Sequence, residues 1–575
     1  MRRLASMLVV GAVCAPLACS SGSNMTGSGG ASGTAGTSGG AGTSGGAGTS
    51  GDAGTSGGAG TSGGAGTSGG AGTSGGAGTS GGAGGAAGGR GGATAGSGGG
   101  GAGGASAGRG GSAGGAAGSR GGASGGGGSA AGGTGGAAGS RGGTGGGAGS
   151  AAGGTGGATA SNDPCRGTAL PTSSHYVPAG MCARTVATGQ AGLRQIVFSS
   201  NGDLWGVNTN GQIKRFRDAN GDGVFQTSEI VNWATTGGNG QNVHIDEANG
   251  YLYSGTSGGV RRWMWSNTID SGGTGTDVLT GQPTGGHGKH PVKVWDNWMY
   301  VMSGSNGNVT GSSTSTYDTG RNIIKRFNLA GFTTAFTWSS DGEIFVDGIR
   351  NVLGFNKDGM GRIYGVQNGQ DDVTYSGSDV HNDNPGEAIL RIEAGAHHGY
   401  PFCFVAQRIT GITAGTVVRS EIFPNNQRDD AWCQSTTNVT RPVTFMQAHT
   451  APMDVVFFLP TLPAGGLPEK WRNGAFVSLH GSWDRDPATG YRVIWQPFNA
   501  DGTSPMPTSS GTSTTFPSEV VLSGGNASQS ADGSWNVSGG EQNVRPVGIA
   551  ISPVDGALYI SSDSQGYLYR VGLMR

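Results

Sequence analysis

The stretch Gln195-Ile196-Val197-Phe198-Ser199-Ser200-Asn201-Gly202-Asp203-Leu204-Trp205-Gly206-Val207 decides the fold. An apolar strand runs into an Asn-Gly-Asp turn and a second apolar strand leaves it, the signature of a tight β-hairpin. Gln212-Ile-Lys-Arg-Phe216 supplies a third strand after a Gly-containing loop. The unit recurs at Val243-His-Ile-Asp246 with Asn249-Gly250 and Tyr251-Leu-Tyr253, and at Val292-Lys-Val294 with Asp296-Asn297 and Trp298-Met-Tyr-Val301. Further copies begin at Val352, Asp454 and Val547, making six. The first three lie roughly 47 residues apart, and the later ones are stretched by insertions, as blades with elaborated loops would be. The expected fold is therefore all-β, a six-bladed β-propeller whose insertions surround one axial mouth. A β-sandwich is the alternative, but sandwiches rarely repeat one unit six times. Only a short turn near Pro468-Glu-Lys-Trp-Arg472 reads as helical.

The rest of the chain is of a different kind. Of 575 residues 126 are glycine, concentrated before position 160, where Ala, Ser and Thr make up most of the remainder and AGTSGG recurs between Ala35 and Gly82. Such a segment has too little apolar surface to offset the entropy of ordering, so residues 19–160 read as a disordered Gly-rich tether. About 135 residues of Gly-rich coil span roughly 60 to 70 Å. All twelve tryptophans follow Asp163, and residues 161–575 are ample for one large β domain. Met1-Arg2-Arg3 and the apolar stretch Leu4 to Ala18 read as a signal peptide, residues 1–18, too short to span a bilayer. Cys19, after Leu17-Ala18 and before Ser20-Ser21-Gly22, sits as the lipidated cysteine of a bacterial lipoprotein would. These features predict an exported protein, on the outer membrane or facing the periplasm through a lipid anchor, with ordinary secretion as the alternative.

Formal net charge is −1, with no basic block, which argues against a nucleic-acid partner. Past Cys14 and Cys19 four cysteines remain, and two short-range disulfides are expected, Cys165 with Cys182 and Cys403 with Cys433. No CxxC spacing supports a zinc site instead. Asp218-Ala-Asn220-Gly-Asp222-Gly-Val224-Phe-Gln226-Thr-Ser-Glu229 matches the calcium-loop pattern. Asp218, Asn220 and Asp222 offer side-chain oxygens, Val224 a carbonyl and Glu229 a bidentate closing carboxylate. A strand precedes it where an EF-hand has a helix, so it reads as a calcium-stapled loop between blades.

Loops entering successive units carry His287, Arg350 with Asn351, and Arg545, while His480 ends a strand of the fifth unit. A histidine at such a mouth is suited to take a proton from a hydroxyl group. Gly348-Ile-Arg350-Asn351, Asn368-Gly369 with Asp371-Asp372, His381-Asn-Asp-Asn-Pro-Gly-Glu387, Gly399-Tyr-Pro401, His480-Gly-Ser-Trp483 and Arg545-Pro-Val547 follow one another in order. In that order and number they resemble the glucose/sorbosone dehydrogenase family, soluble propellers that use pyrroloquinoline quinone (PQQ). The resemblance implies a planar tricarboxylate cofactor across the mouth, with Arg350 and Arg545 on its carboxylates and Asn351 and Asn368 on its ring edge. It implies a calcium ion on the backbone oxygens of Gly369 and Gln370, His287 as the base toward a sugar hydroxyl, and His480 near a cofactor-lysine position, with Arg485 as a possible substitute. Ser305 stands where family members carry an aspartate beside the base, and Asn543 where some carry a second arginine. The expected function is an extracytoplasmic PQQ- and calcium-dependent dehydrogenase oxidising a sugar, polyol or aldose. The alternative is a non-catalytic, calcium-stabilised propeller binding a glycan or protein. No CxxCH haem motif is present, so the electron acceptor would be a separate molecule.

Overall fold

The structure is a computed structural model that describes residues 165–309, 318, 320–510, 513–525, 530–531, 533–535 and 543–574. The leader, Cys19 and the Gly-rich tract lie outside the described residues. Six sheets with four antiparallel strands each, the second and third extended by a parallel edge strand, follow one another along the chain, their inner strands gathered around a common axis. The inner strands are Leu193–Phe198, Val243–Asp246, Val292–Trp295, Asn351–Lys357, Pro452–Phe457 and Pro546–Ile551. They coincide with the six repeat starts, because each hairpin turn fixes its own two strands locally.

Radial closure depends on a strand outside the repeat. Met181–Ala187 pairs antiparallel with Tyr567–Leu573, Met181 opposite Leu573, and so becomes the fourth strand of the sixth blade, with Thr168–Ala169 outside it. The chain's two ends are thereby held in one sheet, and the ring has no open seam. The Cys165–Cys182 disulfide, spanning 17 residues, pins the segment that leads into this strand, while Cys403–Cys433 staples an insertion of the fourth blade.

Apolar faces of adjacent blades pack against each other. Trp205, Trp233 and Trp263 are buried between the first two blades, with Trp205 edge-on to Trp233 at 5.1 Å. At the axis the inner strands approach so closely that a Cβ on Gly354 would lie 2.4 Å from the Cα of Asp454. Among the described residues no helix is long and apolar enough to cross a membrane, and the 3₁₀ turn Glu469–Trp471 falls where the sequence suggested one.

Inner strands begin at one end of the ring, here called the mouth, and second strands return to it. The calcium-pattern loop joins the third strand of the first blade, Gln212–Phe216, to the fourth, Ile230–Thr235, and therefore lies at the other end. This corrects the expectation of a loop between blades. It nevertheless touches the closing strand: the Phe225 amide donates to the Val186 carbonyl at 2.8 Å, and Arg166 donates to the Gly221 carbonyl. Replacing Cys165 and Cys182 by serine should lower unfolding free energy by about 3 kcal/mol, the loop-entropy value for such a span. Denaturant titration of oxidised wild type against the variant measures it.

Candidate active site

Four loops build the first part of the mouth. The loop entering the third blade carries His287, and the loop leaving its second strand carries Ser305 and Asn308. The loop entering the fourth blade carries Arg350, and the loop leaving its second strand carries Gly369 to Asp372. The His287 amide donates to the Ser305 carbonyl at 2.8 Å, and the Ser305 amide to the Arg350 carbonyl at 2.9 Å, so the two blades share one backbone chain. Gly304 is required here, since a Cβ on it would lie 2.7 Å from His287 Cβ.

The protonation of His287 follows from its partners. Ser305 Oγ donates to the Gly307 carbonyl at 2.7 Å, which uses its only proton. His287 Nδ1 lies 2.8 Å from that Oγ, so Nδ1 carries the hydrogen and donates, and Nε2 keeps its lone pair. Burial, then the positive charges of Arg350 and Arg321, push the imidazole down to about 3. His287 is thus a neutral ring of fixed tautomer, and Ser305 fills the orienting role that an aspartate would otherwise have. Arg321 was not evident in the sequence. Its guanidinium donates to the carbonyls of Thr284, Gly285 at 3.1 Å and Gly304 at 3.3 Å, which braces the His287 loop. An arginine opening a third strand carries no local signal of that role.

Arg350 is buried, 3% exposed. Its Nε donates to the Asn308 carbonyl at 3.0 Å and its NH2 to Asp371 Oδ2 at 2.6 Å, so the guanidinium is held in place by an ion pair. Asn351 and Asn368 face each other across the hairpin. Asn351 Nδ2 donates to Asn368 Oδ1 at 3.2 Å, and Asn368 Nδ2 to the Pro452 carbonyl at 2.7 Å. Their amide donors are thus engaged inside the sheets, and among the described residues Asn351 Oδ1 is left buried without a partner. Gln370 donates to the Pro401 carbonyl at 3.0 Å, and its Oε1 is likewise unsatisfied.

Glu387 ties this half of the mouth to the next. Its Oε2 accepts from the Gly369 amide at 2.6 Å and its Oε1 from the Ala451 amide at 3.4 Å. Burial pushes its carboxyl up to about 8 against the lowering effect of those amides and Arg350. The Ala451 carbonyl in turn accepts from the His480 amide at 3.0 Å.

His480 and Arg545 form the second half. His480 Nε2 donates to Asp563, 3.1 Å from Oδ2, and Arg194 donates to the same carboxylate at 2.8 Å. Burial alone would raise Asp563, but His480, Arg194 and Arg545 together hold it well below the usual carboxylate range. The Arg545 backbone is anchored, its amide donating to Ser562 Oγ at 2.9 Å. Its guanidinium makes no hydrogen bond or ion pair with any described residue. Arg485 is turned away, donating to Asp383, Ser534 and the Pro487 carbonyl. Asn543 donates to the Gly524 carbonyl at 2.8 Å.

The structure thus brings His287, Arg350, Gly369, Gln370, His480 and Arg545 to one end of the ring, and separates from them Asp218, Asn220, Asp222, Val224 and Glu229. A family model described as TrAA12-like matches residues 175–573. The chain belongs to this TrAA12-like family. It is 27% identical over 438 residues to a pyrroloquinoline quinone-dependent pyranose dehydrogenase of Coprinopsis cinerea, a match covering 71% of this chain and 56% of that protein. It is also 27% identical over 412 residues to a pyrroloquinoline quinone-dependent sugar dehydrogenase of Hypocrea jecorina, covering 67% of this chain and 86% of that one. The chain thus spans little more than half the length of the Coprinopsis relative. The holo PQQ domain of the Coprinopsis pyranose dehydrogenase superposes with a TM-score of 0.59 at 24% identity, covering 71% of this chain and 99% of that one. The calcium structure of a Trichoderma reesei AA12 enzyme gives 0.58 at 23%, covering 70% and 97%. At these identities the superpositions establish a shared propeller fold.

In this TrAA12-like propeller the His287 ring should stay neutral and of one tautomer from about pH 5 to 9, because its charged form is disfavoured until pH approaches about 3. Nitrogen-15 NMR of the imidazoles, assigned through His287→Gln, would show it. Ser305→Ala should leave Nδ1 only the residue-305 carbonyl, 3.2 Å away, as acceptor, which keeps the Nδ1–H tautomer but shifts its resonance as the hydrogen bond weakens, with the fold's melting temperature nearly unchanged.

Proposed function

We propose that this chain is a PQQ-dependent dehydrogenase that oxidises a sugar or related polyol at the propeller mouth. The observation that carries the reading is a neutral imidazole placed beside Arg350, its Nε2 lone pair without a partner among the described residues, at the same end of the ring as the Arg545 guanidinium, which is likewise unpartnered among them. The names of the two curated relatives support the same reaction class and the same cofactor.

The residues present fit such a cofactor. Arg545 offers an unneutralised fork for a carboxylate, and the buried, unpartnered Asn351 Oδ1 and Gln370 Oε1 border the floor. Arg350 would serve a second carboxylate, with the backbone oxygens of Gly369 and Gln370 as the place for a calcium ion. Bound quinone supplies the two-electron acceptor that no side chain here provides. His287 accepts the hydroxyl proton of the substrate at Nε2, and Ser305 keeps that nitrogen unprotonated beforehand. Arg350 then faces a newly charged imidazolium, which favours prompt return of the proton to solvent. Glu387 holds the Gly369 peptide plane, so the backbone beneath the ligand is fixed before binding.

Export of the enzyme by the leader, with Cys19 as lipid attachment point, is part of the proposal, and two disulfides suit an oxidising compartment. Palmitate labelling of the expressed chain, lost in Cys19→Ala, tests it. The electron acceptor is then an external carrier. A second calcium ion belongs to the Asp218 to Glu229 loop, whose donors are all oxygens, the set a hard cation takes. Asp218 already accepts from the Asp222 and Gly223 amides at 3.0 and 2.8 Å, and Glu229 from Ala219 and Gln226 at 2.9 Å each, so the loop is closed in advance. Since this loop grips the closing strand, chelation with EGTA should lower the melting temperature of wild type by several degrees and that of Asp222→Ala much less.

The decisive experiment titrates quinone into the full chain with calcium and follows turnover of aldoses with a dye. Expected are micromolar or tighter quinone binding weakened at least about tenfold in Arg545→Ala, and His287→Ala that binds quinone but loses about 10²- to 10⁴-fold in kcat. Absence of both binding and turnover would leave the propeller as a calcium-stabilised binding module.

A further inference from the structure

The mouth also contains a cluster that the proposed reaction does not use as such, although one of its members, Asp371, pairs with Arg350. Asp371 leaves the second strand of the fourth blade, His449 precedes the inner strand of the fifth, and Asp484 follows that blade's second strand. One ligand atom from each lies within 4.8 Å of the other two.

The state of His449 is set by its other nitrogen. Nε2 lies 2.6 Å from the His381 carbonyl and 2.9 Å from the Asn384 carbonyl. Carbonyl oxygens only accept, so Nε2 carries a hydrogen, and Nδ1 is the ring nitrogen left to face the two aspartates. The ring is 6% exposed. Its Nδ1 faces Asp484 Oδ2 at 3.8 Å, too far for a hydrogen bond. Asp484 Oδ2 accepts from the Asp372 amide at 3.1 Å, and Asp371 Oδ2 from Arg350 at 2.6 Å. Oδ1 of each aspartate has no hydrogen bond among the described residues. A buried ring nitrogen and two carboxylates with unused oxygens therefore converge on one point.

We propose that Asp371, His449 and Asp484 form a binding site for a divalent transition-metal ion of the zinc class. An imidazole nitrogen with two carboxylates suits Zn²⁺, Mn²⁺ or Co²⁺, whereas calcium prefers oxygens only. The second nitrogen, donating to backbone carbonyls, is the usual outer support of a ligating histidine. Atoms around tetrahedral zinc lie roughly 3.3 Å apart, so the three side chains need to close by about an ångström or so, within the reach of χ adjustments. The ion joins the fourth and fifth blades at the mouth and shares Asp371 with Arg350. Its binding therefore draws negative charge away from that guanidinium and leaves it freer for an anionic ligand. The site stands whether or not a quinone binds.

The test uses the full chain stripped of metal with a chelator and titrated with Co²⁺ in the presence of excess Ca²⁺. Expected is a saturable visible absorption band of one equivalent with an imidazole-containing coordination shell, displaced by Zn²⁺. Both His449→Gln and Asp484→Asn should weaken it at least about tenfold while circular dichroism stays native. Should His449→Gln misfold, Asp484→Asn at the rim decides alone. Binding no tighter than millimolar, binding unchanged in the folded variants, or displacement by calcium as readily as by zinc would each overturn the proposal.

Discussion

The pairing of Met181–Ala187 with Tyr567–Leu573 is the constraint on which the rest of the molecule depends. Blades one to five are hairpin stacks that the local sequence can form, but a stack of sheets has two open edges and no fixed axis. Joining a strand from the beginning of the domain to the end of the chain converts the stack into a ring. Only in a ring do the loops bearing His287 and Arg545 come to the same end with the stiffness that positioning needs. The close approach at Gly354 shows how little slack remains at the axis. The Cys165–Cys182 disulfide and the Phe225 amide reinforce this seam from opposite sides of the same strand.

Charge at the mouth is arranged in two unequal halves. Around Arg350 the positive charge is matched by Asp371, and its remaining field falls on His287, which burial already keeps neutral. Around Arg545 the nearest carboxylate, Asp563, is shared with Arg194 and His480, so the local sum is positive. One half thus suits a base in its neutral form and the other an anion. Glu387 and Ala451 join the two halves through one hydrogen-bonded chain from the Gly369 amide to the His480 amide.

The blades were legible because a tight turn between two apolar strands is a local event: six repeat starts from Gln195 to Val547 fall on the six inner strands. The closing strand was not, since Met181–Ala187 belongs to no copy and its partner lies almost four hundred positions away. The mouth residues His287, Arg350 and Arg545 were legible from their place before inner strands. Their hydrogen-bond partners were not: Arg321, Asn308, Asp563 and Arg194 acquire their roles only through folding. The pairing of Asn351 with Asn368 was equally hidden, because it follows from strand register and not from either residue's neighbours in sequence. The calcium pattern was readable as a loop but not as a blade-one connection, since nothing in its twelve positions states which strands flank it.

The two ends of the ring differ for a topological reason. At the far end, most inner strands pass to second strands through short turns such as Ser199 to Asp203 and Asp296-Asn297, and the calcium-pattern loop there joins a third strand to a fourth. A cavity of about 260 Å³ does open there, bordered by Lys293, Lys357 and Asp454. Burial pushes Asp454 up to about 7, yet its two oxygens already accept from the Val455 and Ile549 amides at 2.9 and 3.1 Å. That carboxylate is a strut between the fifth and sixth blades, with neither a free base nor a guanidinium beside it. At the mouth, by contrast, the connections from second to third strands can lengthen without disturbing those hairpins, as residues 369–386 of blade four and 480–491 of blade five do. The same turns that make the fold readable thus leave the base and the guanidinium groups to the mouth.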